Sequence, residues 1–220
     1  MPRLRRKRTA LPELAKDPKA IINPSDPSEY KGNWKKIFGN EQPIHLELGC
    51  GKGTFISQLA QKDKHINFIA VDKYPEVLVS TLRKINELQL TNVRILMLDI
   101  ENIADVLGPE EIDKIYLNFS NPWPKKKHHK RRLTYPSFLQ KYKSFLKPGA
   151  EIWFKTDDDH LFADSLVYFK DNGFQEIYQT DNLHQDDSVD NIMTEYEMKY
   201  SKQGIKIKFA IFQYIPDTDK

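Results

Sequence analysis

Three glycines in five residues, Gly49, Gly51 and Gly53, end an apolar run that carries one carboxylate, Glu47. Glycine at alternate positions lets the backbone turn tightly and bares main-chain N–H groups that a Cβ would cover. The spacing is G-x-G-x-G, not the G-x-G-x-x-G of dinucleotide folds. A carboxylate two positions before the first glycine repels a pyrophosphate and suits a ligand that carries positive charge. The loop points to a cationic nucleoside cofactor rather than NAD; its bland alternative is an ordinary glycine turn between strand and helix.

A second constellation is Asn121-Pro122-Trp123-Pro124, which runs directly into Lys125-Lys126-Lys127-His128-His129-Lys130-Arg131-Arg132. Two prolines around a tryptophan make a stiff loop that can hold an acceptor group in line with a leaving group. The competing reading is a buried turn with Trp123 plugging the core. The basic run holds six formal positive charges in eight residues. Such a run is expected to stay in solvent, and beside an active edge it argues for phosphate contacts with a folded RNA. By itself it also reads as a solvated face.

These residues need a scaffold, and the pattern supplies one. Strands are expected at 44–48, 67–72, 93–98, 114–119 and 151–156, with helices between them at 55–61, 76–88, 135–145 and 161–171. Val77, Leu78, Leu82, Ile85 and Leu88 fall at helical spacing, as in a helix covering a sheet. Strand and helix in alternation predict an α/β fold with a parallel sheet, right-handed crossovers and ligands beyond the carboxyl ends of the strands. Polar residues gather at those ends: Asp72, Asp99, Asn118 to Pro124, and Thr156-Asp157-Asp158-Asp159. A carboxylate about 20 residues past the glycine loop, as Asp72 is, suits a ribose diol. For Asp99 and one of Asp157 to Asp159 the alternative is a helix N-cap. A further strand is expected at 174–180, and 205–215 reads as an antiparallel edge strand after the Gly204 turn.

The first 40 residues mix a basic cluster, Arg3 to Arg8, with five prolines and show no sustained period. They read as an irregular, partly flexible arm with at most a short helix, preceding a domain at 41–220. The arm is a second candidate for nucleic-acid contact. A chain of 220 residues can bury one core without staples. Its single cysteine, Cys50, permits no internal disulfide, and no Cys/His spacing suggests zinc or another metal site. No apolar run approaches the ~20 residues that span a bilayer. Pro12, Glu13 and Asp17 stand where a signal peptide needs its apolar region, so a soluble, cytoplasmic protein with no membrane partner is expected.

With Glu47 to Gly53, Asn121 to Arg132 and Thr194-Glu195-Tyr196-Glu197 together, the chain resembles the bacterial tRNA (guanine-N7-)-methyltransferases, from the basic arm to the last strand. The glycine loop is shared widely among S-adenosylmethionine-dependent methyltransferases; the proline-tryptophan loop joined to the basic run is far more specific. The resemblance implies a Rossmann-like class I methyltransferase, with a mostly parallel seven-stranded sheet, helices on both faces and an antiparallel C-terminal edge strand. It implies S-adenosylmethionine as cofactor, tRNA as partner, and methylation of guanosine N7 in the variable loop, by a monomer or a homodimer. Carried over residue by residue, Glu47, Asp72, Asp99 and Asn121 match cofactor-binding positions, to which the loop adds Gly49 and Gly51. Lys125, Asp157 and Thr194, Glu195, Tyr196 and Glu197 match substrate-binding positions, and Lys127 to Arg132 match an RNA-contacting run. Asn121 stands where the family usually has its proposed catalytic Asp. The alternatives are an exocyclic-amine methyltransferase, since Asn121-Pro122-Trp123 lies one residue from the Asn-Pro-Pro-aromatic loops of that chemistry, and a non-catalytic RNA-binding protein on a methyltransferase fold.

Overall fold

A computed structural model describes residues 8–200 and 203–216. Its elements, in chain order, are α1 (Ala10–Leu14), β1 (Ala20–Ile22), α2 (Trp34–Phe38), β2 (Ile44–Leu48), α3 (Thr54–Lys62), β3 (Asn67–Asp72), α4 (Pro75–Glu87) and β4 (Val93–Met97). Then follow α5 (Ile103–Val106), β5 (Ile112–Asn118), α6 (Pro136–Lys143), β6 (Leu146–Thr156), α7 (Asp159–Asp171), β7 (Phe174–Thr180), α8 (Glu195–Tyr200) and β8 (Lys208–Tyr214).

The strands make one sheet in the order β1-β4-β3-β2-β5-β6-β8-β7. From β1 to β6 every neighbouring pair is parallel, whereas β8 runs antiparallel to both β6 and β7. The period of two sorts the side chains. Ile44, Leu46 and Leu48 of β2, Ile115 and Leu117 of β5, and Ile152 and Phe154 of β6 join Trp34, Phe138, Tyr142 and Phe162 in one core. On the opposite face Phe68, Ala70, Ile95 and Tyr116 meet Phe55, Ile56, Leu78, Leu82 and Ile85 of α3 and α4. Helices thus cover both faces, and the carboxyl ends of β2 to β6 are left to loops.

The α/β architecture is the expected one, with two corrections to the sheet. Among the described residues it has eight strands rather than seven, because Ala20–Ile22 adds a parallel strand beside β4. The last strand is not at the edge: apolar Lys208–Tyr214, four of whose residues are buried in a row, takes the interior place, and polar β7, with Gln175, Glu176 and Gln179 in solvent, takes the edge. On α4 the expected stripe holds for Val77, Leu78, Leu82 and Ile85, while Leu88 lies past the helix end and is exposed.

The arm is also more ordered than its proline content suggests. Ala10 and Leu14 of α1 are buried, and Glu13 makes a two-pronged pair with Arg83 of α4. Trp34 is fully buried and donates from its indole to the Val106 carbonyl at 2.8 Å. These contacts of α1 and α2 fasten the arm to the domain behind it. Most of the first basic cluster, Arg3 to Lys7, lies outside the described residues. A buried carboxylate makes the junction: Glu111 accepts backbone N–H bonds from Gly32 at 3.0 Å, Trp34 at 2.8 Å and Gly108 at 2.7 Å. Glu111→Ala strips two buried donors, the Trp34 and Gly108 N–H groups, and the more exposed Gly32 N–H of their partner and is expected to cost about 3 kcal/mol. Urea unfolding would show this as a lower midpoint; an unchanged midpoint would mean that the arm is not held this way.

Candidate active site

Strand β2 delivers Glu47, only 2% exposed, to the sheet edge. One oxygen accepts from the Asn118 amide of β5 at 3.1 Å, while the other is buried without a partner. Burial drives the Glu47 pKa up to about 7, against the Asn118 hydrogen bond and the positive charge of Lys155; nearby Asp72 adds to the rise. A desolvated carboxyl with an unused oxygen is a site prepared for a cation.

The glycine loop follows at once. Gly49, Gly51 and Gly53 all have positive φ, and a Cβ on Gly53 would meet Thr81 at 2.4 Å, so α3 and α4 pack together only with glycine there. Asp72, at the end of β3, braces the loop by accepting from Gly51 N–H at 3.2 Å and from Tyr74 N–H at 3.0 Å. Burial raises the Asp72 pKa, and these backbone donors oppose the rise. Asp99, at the end of β4, caps the short turn Ile100–Asn102 through Glu101 N–H, and its second oxygen lies 3.5 Å from Lys73 Nζ. Three carboxyl groups and open backbone thus share one edge. This donor set fits S-adenosylmethionine, with acceptors for hydroxyls and an amine and an unpaired buried oxygen for positive charge.

The strand ends of β5 and β6 complete the edge. Phe119 and Trp123 adopt left-handed backbone angles, φ 50° and 43°, rare for such bulky residues and worth roughly 1–3 kcal/mol each. Between them Asn121 is exposed and turns its amide oxygen onto Trp123 N–H at 3.1 Å. Of the three aspartates after β6, Asp158 caps α7 through Leu161 N–H and Asp159 pairs with Lys208. Asp157 is left at the edge, where it accepts from Tyr196 OH at 2.8 Å.

Helix α8 folds over this edge from the far end of the chain. Glu195 takes Thr54 and Lys84 at 2.8 Å and Lys52 at 3.3 Å, fastening the helix to the start of α3. Partial burial works to raise its pKa, but these partners outweigh burial and hold it at about 2. The Tyr196 ring lies 4.9 Å from that of Phe119. Thr194 and Glu197 form a reciprocal capping box: Glu197 N–H donates to the Thr194 hydroxyl at 3.0 Å and Thr194 N–H to the Glu197 carboxylate at 3.3 Å.

The basic run forms a short three-residue-per-turn helix, Lys126–Arg131. Lys125, Lys127, Lys130 and Arg131 are exposed. His128 and Arg131 lie against Trp123, the guanidinium 5.1 Å from the ring centre. Arg132 departs from the expected RNA-facing run, with its side chain 1% exposed and its donors used inside the protein.

A family model described as a putative methyltransferase matches residues 41–210. A tRNA (guanine-N(7)-)-methyltransferase of Desulfitobacterium hafniense is 56% identical over 96% of this chain and 98% of its own length. Another, of Clostridium acetobutylicum, is 52% identical over 95% of this chain and 98% of its own. The chain belongs to the tRNA (guanine-N(7)-)-methyltransferase family. Two solved structures share the fold. An antibiotic-related methyltransferase has TM-score 0.61 at 18% identity, covering 90% of this chain and 98% of that one. A 16S rRNA (adenine(1408)-N(1))-methyltransferase from Catenulisporales acidiphilia has TM-score 0.63 at 15% identity, covering 90% and 95%.

Within this family frame the expected substrate positions fall into two groups. Asp157, Glu195 and Tyr196 sit at the strand edge beside Phe119, and Lys125 opens the basic run below it. Glu197 is fully buried and Thr194 nearly so, which makes them the frame that seats α8. Sequence reasoning passed over Lys155 and gave Asn118, within its polar strand end, no role of its own. Asn118 carries no separate signal. Lys155 does: a lysine inside the strand Glu151-Ile152-Trp153-Phe154-Lys155-Thr156 demands a buried anion, and Glu197 supplies it at 3.4 Å.

The raised Glu47 pKa fixes the sign of a pH effect. Below about 7 the carboxyl is neutral and offers a cation nothing; above it the carboxylate is present, so a positively charged cofactor binds more tightly as pH rises between about 6 and 8. Calorimetry with S-adenosylmethionine is expected to show this gain, and Glu47→Gln to weaken binding and flatten its pH dependence. An unchanged affinity in that variant would remove Glu47 from the cofactor site.

Proposed function

We propose that the chain transfers the methyl group of S-adenosylmethionine to N7 of a guanosine in the variable loop of tRNA. The observation that carries this reading is the continuity of the Asn121 loop: it leaves the sheet edge beside Glu47 and Asn118 and passes directly into an exposed basic segment. A methyl acceptor and the phosphates that accompany it would be held by one stretch of chain.

S-adenosylmethionine supplies a methyl group activated on a sulfonium. Glu47, Asp72, Asp99 and the backbone at Gly49 and Gly51 would hold it, as the chemistry of the acidic edge supports. Guanine N7 already carries an in-plane lone pair, so the protein has no proton to remove and its work is alignment. Asn121 would position the guanine edge through its amide, with Asp157, Glu195 and Tyr196 lining the approach. Lys125, Lys127, Lys130 and Arg131 would meet tRNA phosphates, a sequence-independent attraction that salt weakens.

Asn121 brings no charge where the family usually has Asp. An amide oxygen still accepts a hydrogen bond, but it stabilises the positive charge that develops on the base less well than a carboxylate. Asn121→Asp is therefore expected to leave turnover equal or faster. A tenfold loss, about 1.4 kcal/mol of barrier, would overturn this account of the position.

The reaction itself is tested with labelled S-adenosylmethionine and unmodified tRNA transcripts, mapping the label by cleavage chemistry specific for 7-methylguanosine. Label in the variable loop is the expected result. Label on an exocyclic amine would favour the chemistry that Asn121-Pro122 also suits, and binding of both ligands without transfer would favour a non-catalytic RNA-binding protein.

A further inference from the structure

We infer that Arg132 is a positioning residue for methyl transfer, setting the shape of the Asn121-Pro122-Trp123-Pro124 loop, and is not a phosphate contact. It closes a run of exposed cations, yet its guanidinium is buried and three of its nitrogens are engaged. Nε donates to the Pro122 carbonyl at 2.8 Å, Nη1 to Asp164 of α7 at 2.5 Å, and Nη2 to His129 Nε2 at 3.0 Å. Arginine can only donate, so His129 Nε2 carries the lone pair in this arrangement. A planar fork locked by three partners cannot swing out to a phosphate without abandoning all of them, and lysine cannot reproduce it.

What makes this contact matter is the peptide group it grips. The carbonyl of Pro122 and the N–H of Trp123 belong to the same peptide plane. Arg132 holds the carbonyl end, and the Asn121 amide oxygen accepts from the N–H end at 3.1 Å. A carbonyl that accepts from a guanidinium also polarises its own N–H, strengthening the bond to Asn121. Turning that plane would carry Asn121 with it. The plane also sits between two left-handed residues, Phe119 and Trp123, a conformation that persists only where the surroundings over-determine it. Arg132, between the short basic helix and α6, supplies that constraint and is itself tied to α7. Asp164 in turn anchors the guanidinium to the helix.

This inference rests on the proposed methylation of tRNA, and its test separates the two. Arg132→Met and Arg132→Lys are compared with Lys130→Ala and wild type in steady-state methylation, in tRNA binding across salt concentrations, and in fluorine NMR of fluorotryptophan-labelled protein. The Trp123 line is assigned among the three tryptophans with Trp123→Phe. Both Arg132 variants are expected to lose kcat tenfold or more, to keep tRNA affinity and its salt slope within twofold of wild type, and to displace or broaden the Trp123 resonance. Lys130→Ala is expected to weaken tRNA binding, to flatten the salt slope by about one, and to leave the Trp123 resonance in place. The inference is overturned if Arg132→Met reproduces the Lys130→Ala pattern, or if its kcat and Trp123 resonance are those of wild type. If neither Arg132 variant folds by circular dichroism, Asp164→Asn decides: a lower kcat with a displaced Trp123 line supports the inference, and no change in either refutes it. A wild-type protein without turnover on tRNA would sink the proposed function alone, because the Trp123 resonance still reports whether Arg132 sets the loop.

Discussion

A single buried ion pair holds the far end of the chain against the sheet. Lys155 is 4% exposed and Glu197 is fully buried, and neither charge could be tolerated there without the other. Burial pulls the Lys155 pKa down, and Glu197 opposes the fall. The carboxylate does more than pair: it accepts from His184 and from Asn191 at 2.7 Å and from Thr194 N–H at 3.3 Å. Lys155 adds the Ile192 carbonyl at 2.9 Å. The polar stretch from Leu183 to α8 therefore closes over β6 and β8 by converging on one carboxylate and one ammonium. Everything α8 does at the edge, through Glu195 and Tyr196, depends on that convergence.

The same face of the sheet explains why Glu47 is poised for a cation. Glu47, Asn118 and Lys155 come from adjacent strands β2, β5 and β6, with Asn118 and Lys155 in direct register. Lys155 spends its donors on the α8 side, so Glu47 receives only its distant charge and keeps one oxygen unpaired. Had the two been partners, the carboxyl would have been satisfied and its pKa low. Seating α8 and leaving Glu47 unsatisfied are thus two results of one choice of partner.

Where the sequence was legible, the physics was local. The strands at 44–48 and 67–72 have the bounds expected of them, because each apolar run stops abruptly at glycine or aspartate. The polar residues at the strand ends were placed by topology alone, and Asp72, Asp99, Asn121 and Asp157 do share one edge. What was not legible depends on partners distant in the chain. Ala20–Ile22 is three residues between Pro18 and Pro24, and only pairing with β4 makes it a strand. Thr194 and Glu197 match a substrate motif in the sequence, and their part in seating α8 shows only once Lys155 is found beneath them. Leu88 fits a helical stripe but falls one residue past the end of its helix.

The basic run shows most clearly how charge on paper differs from charge in space. Eight nearly uniform residues would suggest one surface, but a helix with three residues per turn eclipses every third side chain and so divides them into rows. His128 and Arg131 fall in the row against Trp123. His129 and Arg132 fall in the row that turns inward, meeting each other and Asp164. Lys127 and Lys130 are left facing solvent. One segment can therefore stiffen the acceptor loop from behind while presenting cations in front. An RNA pulling on the outer row would load the same short helix whose inner row grips the Pro122 peptide, so substrate contact and loop geometry share a single mechanical element.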